Sequence, residues 1–111
     1  MGRFVKGDVV VIPFPFSDLV QSKRRPALVV SPLYGDDMIL CQITSQAVTD
    51  IFSINLCEDD FEVGSLKKDS NIRPNKIFTV EKSIVCYKVG TLQADKLQSV
   101  IQKITEIIIN Y

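Results

Sequence analysis

The sequence contains no histidine, the side chain that most often transfers protons in enzymes near neutral pH. A Cys–His nucleophile pair is therefore excluded. The three cysteines, Cys41, Cys57 and Cys86, are widely spaced and form no CxxC pair, which favours reduced thiols over a disulfide framework. A tetrahedral zinc site would need all three thiols and a carboxylate to converge. We therefore predict no metal site and no other cofactor.

Long apolar runs and an excess of charge of one sign are also absent. No segment approaches the roughly 20 apolar residues that span a bilayer, and the N-terminus has no apolar run of signal-peptide length. We therefore expect a cytoplasmic protein with no membrane partner. Thirteen Lys and Arg residues balance thirteen Asp and Glu residues, so the chain lacks the positive field of a non-specific DNA-binding protein. Any contact with nucleic acid must be local.

Three short basic segments are candidates for such a local contact. They lie at 23–25, 67–68 and 73–76, and an acidic cluster occupies 58–62. For the lysines at 67–68 and for the acidic cluster, we expect the charges only to solvate loops.

Length and hydrophobic pattern predict one small β-rich domain over residues 1–111. The hydrophobic content of 46% is enough for a single core without disulfides. Short β-rich runs bounded by turn residues follow one another, which favours a barrel or a sandwich. Pro74 interrupts one of these runs, so residues 70–75 are expected to be irregular. The predicted strands are 8–16, 26–31, 38–44, 52–56, 77–81 and 85–92.

The hydrophobic period changes after residue 92. From Gln93 onward apolar residues recur at spacings of three and four, which predicts an amphipathic helix over about 93–109. Thr91 is the expected N-cap. The run of three isoleucines at 107–109 widens the apolar stripe beyond what packing on a barrel needs, which favours a homodimer.

Seven short segments occur in the order and spacing of a known family. They are 7–10 (GDVV), 16–18 (FSD), 23–31 (KRRPALVVS), 43–45 (ITS), 69–70 (DS), 76–81 (KIFTVE) and 89–92 (VGTL). Together they resemble the PemK/MazF family of toxin endoribonucleases over nearly the whole chain. The resemblance implies an all-β fold with one C-terminal helix, an SH3-like small β-barrel of the MazF/PemK/CcdB type over about 4–92. It also implies the toxin of a type II toxin–antitoxin system, which forms a homodimer, cleaves single-stranded RNA at short sequences and binds a cognate antitoxin.

The same resemblance assigns catalysis to Arg25, at the entrance of the second strand, and to Thr44, at the end of the third. Cleavage through the 2′-hydroxyl of the RNA needs fixed positive charge for the phosphorane-like transition state, and a planar guanidinium grips two phosphate oxygens. Thr44 is expected to hydrogen-bond the scissile phosphate. No metal is expected to take part. The residues expected to contact RNA are Phe16, Ser17, Lys23, Arg24, Ser45, Gln46, Arg73 and Asn75.

Two other functions stay open at this stage. The plasmid-borne Kid/PemK branch has an Arg-x-Asp in the segment that matches Arg73-Pro74-Asn75, and an Asn cannot accept a proton at neutral pH. The chain would then be a catalytically inactive relative that binds RNA or a protein. The third hypothesis is a toxin of the same fold that targets DNA gyrase. Arg25 and Thr44 argue against it, because such an inhibitor needs no phosphate grip.

Several of these residues also have purely structural interpretations. Arg25 would pair with a carboxylate at a strand end, Thr44 would be an ordinary β-former, and Arg73 would be a surface charge. Phe14 and Phe16 would stack on unpaired bases or place one ring in the core. The carboxylates at positions 18 and 58 are left unassigned as proton acceptors.

Overall fold

The computed structural model describes residues 3–14 and 23–111. Within these residues the chain forms seven β-strands followed by one α-helix. They are β1 (Asp8–Phe14), β2 (Lys23–Ser31), β3 (Asp37–Thr44), β4 (Ile54–Leu56), β5 (Phe61–Gly64), β6 (Ser70–Glu81), β7 (Tyr87–Leu92) and α1 (Ala94–Asn110). Short 3-10 turns at Glu58–Asp60 and Lys82–Ile84 precede β5 and β7.

All seven strands belong to one curled antiparallel sheet, with the order β4-β6-β3-β2-β1-β7-β5. Neighbours in the chain pair directly from β1 to β3, whereas β6 returns to pair with β3 and β7 returns to pair with β1. The predicted mostly-β fold with a single C-terminal helix is confirmed.

The two faces of the sheet carry separate hydrophobic clusters because side chains alternate along each strand. On β2, Leu28 belongs to the cluster that packs against Val100 and Ile104 of α1, and this face is called the helix-side face. Ala27 and Val29 belong to the second cluster, on the opposite face. Both clusters are fully buried at β1, β2 and β3, so the centre of the sheet is fixed from both sides.

The N-cap of the helix lies two residues after the predicted cap. Gln93 occupies the N-cap position and makes no side-chain cap hydrogen bond. Thr91 instead lies in β7, where its Oγ1 donates to Asp8 Oδ1 at 3.0 Å, so the prediction that it caps the helix is wrong. No helix among residues 3–14 and 23–111 is long and apolar enough to span a bilayer.

The Gly-Asp pair at the start of β1 connects this strand to its neighbour β7. Gly7 has a φ of +95°, a conformation that favours glycine. Asp8 is fully buried, and its Oδ2 accepts a hydrogen bond from the backbone N–H of Val5 at 3.0 Å. Thr91 and, at 3.8 Å, Lys88 Nζ approach its other oxygen. This part of the family-like pattern therefore has a structural role.

Two strands differ in length from their predictions. β2 starts at Lys23 instead of Pro26, so the expected loop does not include Lys23 and Arg24. Pro26 is accommodated because the residue pairing between β2 and β3 begins one residue later, at Ala27. β4 covers only three residues, and Phe52 lies outside it.

The prediction that residues 70–75 are irregular is wrong for 70–73, which pair with β3 and β4, and Pro74 does not end the strand. Gln42 of β3 pairs with Arg73, whereas the preceding Cys41 pairs with Ile77. The three residues 74–76 therefore bulge out of the ladder, because proline cannot donate the backbone hydrogen bond that regular pairing needs. β6 continues beyond the bulge as one strand.

The sequence analysis missed β5, which lies in the expected acidic loop. Gly64 of β5 pairs with Gly90 of β7, and the backbones approach so closely that a Cβ on Gly90 would lie 2.2 Å from the carbonyl oxygen of Val63. Asp60, just before β5, accepts a hydrogen bond from the backbone N–H of Cys57 at 2.9 Å and pairs with Lys96 at 3.3 Å. The expectation that the acidic cluster only solvates a loop is therefore wrong for Asp60.

Candidate active site at the rim of β2 and β3

A concavity of about 210 Å³ opens at the rim of the sheet, where β2 begins and β3 ends. Four cationic side chains and no carboxylate occur among its described lining residues, together with three hydroxyl groups. The lining residues are Arg24, Arg25, Pro26, Ile43, Thr44, Ser45, Leu66, Lys67, Lys68 and Ser70. The concavity is therefore electrostatically suited to an anion.

The strand register brings Arg25 and Thr44 together. Ala27 of β2 pairs with Gln42 of β3, and the same antiparallel register continued by two residues puts Arg25 opposite Thr44. Alternation assigns both side chains to the face opposite the helix, because Ala27 lies in the cluster on that face. Gln42 also pairs with Arg73 of β6, so Arg73 shares this face.

The hydroxyl group of Thr44 is oriented by the chain that follows it. Thr44 is only 8% exposed, and its Oγ1 accepts a hydrogen bond from the backbone N–H of Gln46 at 3.2 Å. Asn71 Nδ2 in turn donates to the carbonyl oxygen of Gln46 at 3.2 Å. A hydroxyl has one proton and can accept as well as donate. Because Thr44 Oγ1 already accepts from the N–H of Gln46, the hydroxyl proton points away from that nitrogen and can be donated to another group.

Arg25 is half-buried and makes no hydrogen bond or ion pair with residues 3–14 or 23–111. Arg25 therefore has no carboxylate partner in this part of the chain for the alternative role in a strand-end ion pair. Asp18 lies outside the described residues. A half-buried guanidinium without a counter-ion attracts anions more strongly than a fully solvated one.

Arg73, by contrast, is paired with a carboxylate. Its Nη2 lies 2.9 Å from Asp50 Oδ2, and the Oδ1 of the same carboxylate accepts hydrogen bonds from the backbone N–H groups of Phe52 and Ser53, each at 3.0 Å. The hydrogen bond from Arg73 lowers the pKa of Asp50 below its usual value, with further lowering by the two backbone donors. Arg73 therefore holds the loop between β3 and β4 onto β6. Its buried Nε finds no hydrogen-bond partner among the described residues.

The family model for PemK-like, MazF-like toxins of type II toxin–antitoxin systems matches residues 5–108. The chain belongs to this family. The resemblance drawn from the sequence is thus confirmed. A search among curated proteins finds no significant match.

Solved structures of other proteins share the PemK/MazF fold of this chain. A MazE–MazF complex from Deinococcus radiodurans has a TM-score of 0.74 at 21% identity and covers 97% of each chain. A mycobacterial endoribonuclease in complex with its cognate antitoxin has a TM-score of 0.73 at 14% identity, covering 96% of this chain and 95% of that one. The Mycobacterium tuberculosis toxin MazF-mt6 has a TM-score of 0.68 at 14% identity, covering 93% and 96%. The predicted MazF-type fold is confirmed.

Two lysines of this family member line the concavity although the sequence analysis expected them only to solvate a loop. Lys67 and Lys68 lie in the turn between β5 and β6. Leu66 packs against the helix-side core, and Ser70 Oγ donates to the carbonyl oxygen of Lys68 at 3.0 Å. The missed β5 brings this turn to the rim, and no sequence pattern around the lysines indicated it.

The other predicted site residues are distributed along the rim or lie outside the described residues. Among the predicted RNA contacts, the exposed ones are Lys23, Arg24, Ser45, Gln46 and Asn75. Phe16 and Ser17 lie outside the described residues, as does the side chain of Phe14. Glu58, an unassigned carboxylate, is exposed in the 3-10 turn before β5. The roles of all these residues in RNA binding stay predictions.

The cysteines are dispersed in this family member. Cys41 is buried in β3, Cys57 is half-buried and Cys86 is exposed. Burial raises the pKa of the Cys41 thiol to about 12, so this group stays protonated near neutral pH. Among residues 3–14 and 23–111, no group of three or more Cys, Asp or Glu side chains lies in an arrangement suited to a metal ion.

Proposed function

We propose that this protein is the toxin of a type II toxin–antitoxin system and a sequence-specific endoribonuclease that cleaves single-stranded RNA without a metal ion. The observation that carries the proposal is that Arg25 and Thr44 line one cationic concavity. One group offers an uncompensated positive charge and the other an oriented hydroxyl. Membership of the toxin family and the names of the solved relatives, several of which are endoribonucleases, support the same function.

The chemistry needs only the RNA and these side chains. The 2′-oxygen of one nucleotide attacks the adjacent phosphorus, a P–O bond forms, and the bond from phosphorus to the 5′-oxygen breaks. The products are a 2′,3′-cyclic phosphate and a 5′-hydroxyl, with the proton of the 2′-hydroxyl passing to solvent and another returning to the leaving oxygen. Negative charge grows on the non-bridging oxygens as the phosphorane-like transition state forms.

Arg25 and Thr44 act on that growing charge. The Arg25 guanidinium binds two oxygens at once and keeps its proton, since the pKa of arginine lies above about 12. Thr44 donates its hydroxyl proton to a non-bridging oxygen. The N–H of Gln46 is a donor to Thr44 Oγ1, so it does not compete for that proton. The Thr44 hydroxyl is oriented before the RNA binds, which lowers the cost of reorganisation during the reaction.

The test uses the wild-type protein and a mixed-sequence, single-stranded RNA in the presence of EDTA. We expect fragments that end in a cyclic phosphate, and no cleavage when the nucleotide on the 5′ side of the scissile bond carries a 2′-deoxy sugar. Retention of RNA without fragments would instead indicate an inactive RNA-binding relative. Inhibition of DNA supercoiling without RNA cleavage would indicate the gyrase-targeting alternative. Loss of cleavage in EDTA that Mg²⁺ or Zn²⁺ restores would contradict the metal-independent mechanism.

The proposal includes a homodimer formed through the end of α1. Ile108, Ile109 and Tyr111 are 67%, 75% and 83% exposed. Phe52 meets the ring of Tyr111 edge-on, with centroids 5.5 Å apart, so the exposed Ile51 next to it extends the same apolar surface. Such a surface is typical of an interface. Sedimentation that shows only monomers at micromolar concentration, or dimers unaffected by Ile108→Glu, would contradict this assignment.

The second proposed partner is a cognate antitoxin in the cytoplasm. Two of the structurally similar proteins are complexes of a toxin-fold chain with its antitoxin. An antitoxin segment that covers the rim would exclude RNA from the unpaired cations of the concavity. We expect a small reading frame beside this gene to encode a protein that co-purifies with the chain and suppresses RNA cleavage. Cleavage that continues unchanged in the purified complex would contradict a role as inhibitor.

A further inference from the structure

We propose that Arg24, Lys67 and Lys68 form a second phosphate subsite, which holds a backbone phosphate of the RNA next to the scissile one. The inference rests on the proposed function for the identity of its ligand. It assigns to Lys67 and Lys68 a role that the family-like segments of the sequence do not include. These two residues lie between the segments 43–45 and 69–70 that carry the resemblance.

Alternation along β2 separates the two adjacent arginines. Consecutive side chains of a strand point to opposite faces, and the register of β1 with β2 is uninterrupted from Lys23 to Leu28. Arg24 therefore shares the helix-side face with Leu28, whereas Arg25 points to the opposite face. Both line the same concavity because it lies at the rim, where the strand ends. The two guanidinium groups cannot grip one phosphate from the same side.

The turn between β5 and β6 supplies the other cations on the helix-side face. Ser70 and Ile43 also line this part of the concavity, and Ile43 belongs to the helix-side cluster. Lys67 and Lys68 are exposed and make no ion pair with the described residues. Asp69 follows them but does not line the concavity. Three cations, none of them in an ion pair with residues 3–14 or 23–111, thus meet on the helix-side of the rim.

The turn is held in place at both ends, so the backbone that carries the two lysines does not depend on binding for its position. Gly64 is locked against Gly90 by the close approach of β5 to β7. Leu66 is anchored in the core, and Ser70 binds the carbonyl oxygen of Lys68. A preformed group of cations loses less conformational entropy on binding than a flexible one.

Two anion sites that lie on opposite sides of the rim fit the backbone of one RNA strand. Successive phosphates repeat the same charge along one flexible chain, so a strand bound at Arg25 can continue over the edge to Arg24. The protein has no net charge, and its RNA affinity must therefore come from a few local contacts. Single-stranded nucleic acid is commonly held by such a cationic track along its backbone.

The experiment measures binding of the full chain to a fluorescein-labelled, fully 2′-O-methylated oligonucleotide of mixed sequence. This probe keeps its phosphates but cannot be cleaved, because it has no free 2′-hydroxyl. Fluorescence anisotropy at several salt concentrations gives the slope of log Kd against log salt. We expect K67Q/K68Q and R24Q each to weaken binding and to reduce the slope by about 1, as loss of a phosphate contact does.

A charge-matched control separates the local contact from general electrostatics. R3Q/K6Q removes the same charge from exposed positions outside the concavity, and its slope should equal that of the wild type. A slope for K67Q/K68Q equal to that of the control would overturn the inference. It would also be overturned if K67Q/K68Q lost affinity only for an acidic peptide such as poly-glutamate, because the turn would then serve a protein partner.

The outcome is independent of whether the protein cleaves RNA. If wild-type protein fails to cleave ordinary RNA but K67Q/K68Q still reduces the slope, the proposed endoribonuclease fails and the phosphate subsite stands. If wild-type protein cleaves RNA and the slopes are equal, the subsite fails and the enzyme stands. All the substituted residues are exposed lysines or arginines, so unchanged thermal melting is expected for each variant.

Discussion

Arg25 and Arg73 are both half-buried and lie on the same face of the sheet, yet their charges are in opposite states. Arg73 is neutralised by Asp50 at 2.9 Å, whereas Arg25 has no carboxylate partner in the described chain. The sequence assigned Arg25 to catalysis and Arg73 to RNA contact, but it did not indicate that Arg73 would be the one paired with a carboxylate. In the structure the two arginines differ because Asp50 lies beside Arg73, whereas no carboxylate of the described residues pairs with Arg25.

This difference in ion pairing indicates which of the two arginines is available to bind a phosphate. For Arg73 to bind RNA, it would have to leave a carboxylate that also organises the backbone at Phe52 and Ser53. Breaking one partner out of a partly buried pair leaves the other charge uncompensated, which costs free energy. Arg25 has no such pair to break among residues 3–14 and 23–111. We therefore assign Arg73 to the position of the loop and Arg25 to the phosphate.

The largest expected effect is the loss of cleavage in Arg25→Ala. Removal of one group that stabilises the charge of the transition state typically lowers the rate by about 10²- to 10³-fold. Arg25→Lys should recover part of this loss, because it keeps the charge but not the planar fork. Arg73→Ala should reduce kcat/KM far less. Equal losses in Arg25→Ala and Arg73→Ala would remove the distinction between the two arginines.

Thr44→Val tests the other half of the site. The substitution keeps the shape and removes the hydroxyl that we propose hydrogen-bonds the phosphate. A hydrogen bond to a charged group contributes about 1.5–3 kcal/mol, which corresponds to a loss of roughly 10- to 150-fold in kcat/KM. Thr44→Ser keeps both the donor and the acceptor for Gln46, so it should retain most activity. A Thr44→Val enzyme as active as Thr44→Ser would show that the hydroxyl takes no part.

Gly90→Ala tests what holds the cationic rim in place. The added Cβ would lie 2.2 Å from the carbonyl oxygen of Val63, so β5 must shift. Overpacking of this kind costs about 1–3 kcal/mol of the free energy of unfolding, measurable by urea denaturation. Ser65 is exposed in the turn between β5 and β6, so Ser65→Ala should change the stability by less than about 0.5 kcal/mol. Equal stabilities of the two variants would contradict the close approach of β5 and β7.

Much of this architecture could be predicted because it depends on local patterns. Alternation and turn residues indicated most of the strands, and the change of period at Gln93 indicated the helix. Thr91 was misassigned as the helix cap because its true partner, Asp8, lies 83 residues away in the chain. β5 was missed because a strand of four residues beside an acidic cluster has too short a pattern to recognise.

The site was predictable only in part for the same reason. Arg25 and Thr44 were found through segments that resemble a family, and strand register then brought them together. Lys67 and Lys68 carry no such signal, since their position at the rim depends on the pairing of Gly64 with Gly90. The pairing of Arg73 with Asp50 spans 23 residues and crosses two strands, so charge patterning along the chain did not reveal it.

The smallest expected effect concerns the Arg73–Asp50 pair and its dependence on pH. The pKa of Asp50 is lower in the folded chain than the value of about 3.9 expected when unfolded. The pair therefore stabilises the fold fully above that unfolded value, and the stabilisation is lost as the pH falls through the lowered folded pKa. Asp50→Asn keeps an oxygen for Phe52 and Ser53 but removes the charge, so it should melt at a lower temperature than the wild type near neutral pH.

The difference in melting temperature between wild type and Asp50→Asn isolates this one carboxylate, because every other acidic group titrates in both proteins. We expect the difference to be constant from about pH 5 to pH 8, to shrink below about pH 4, and to decrease in high salt. A difference that does not change with pH would show that Asp50 acts through its backbone hydrogen bonds alone. Arg73 would then carry an available charge, and the contrast with Arg25 would rest only on which of the two lines the concavity.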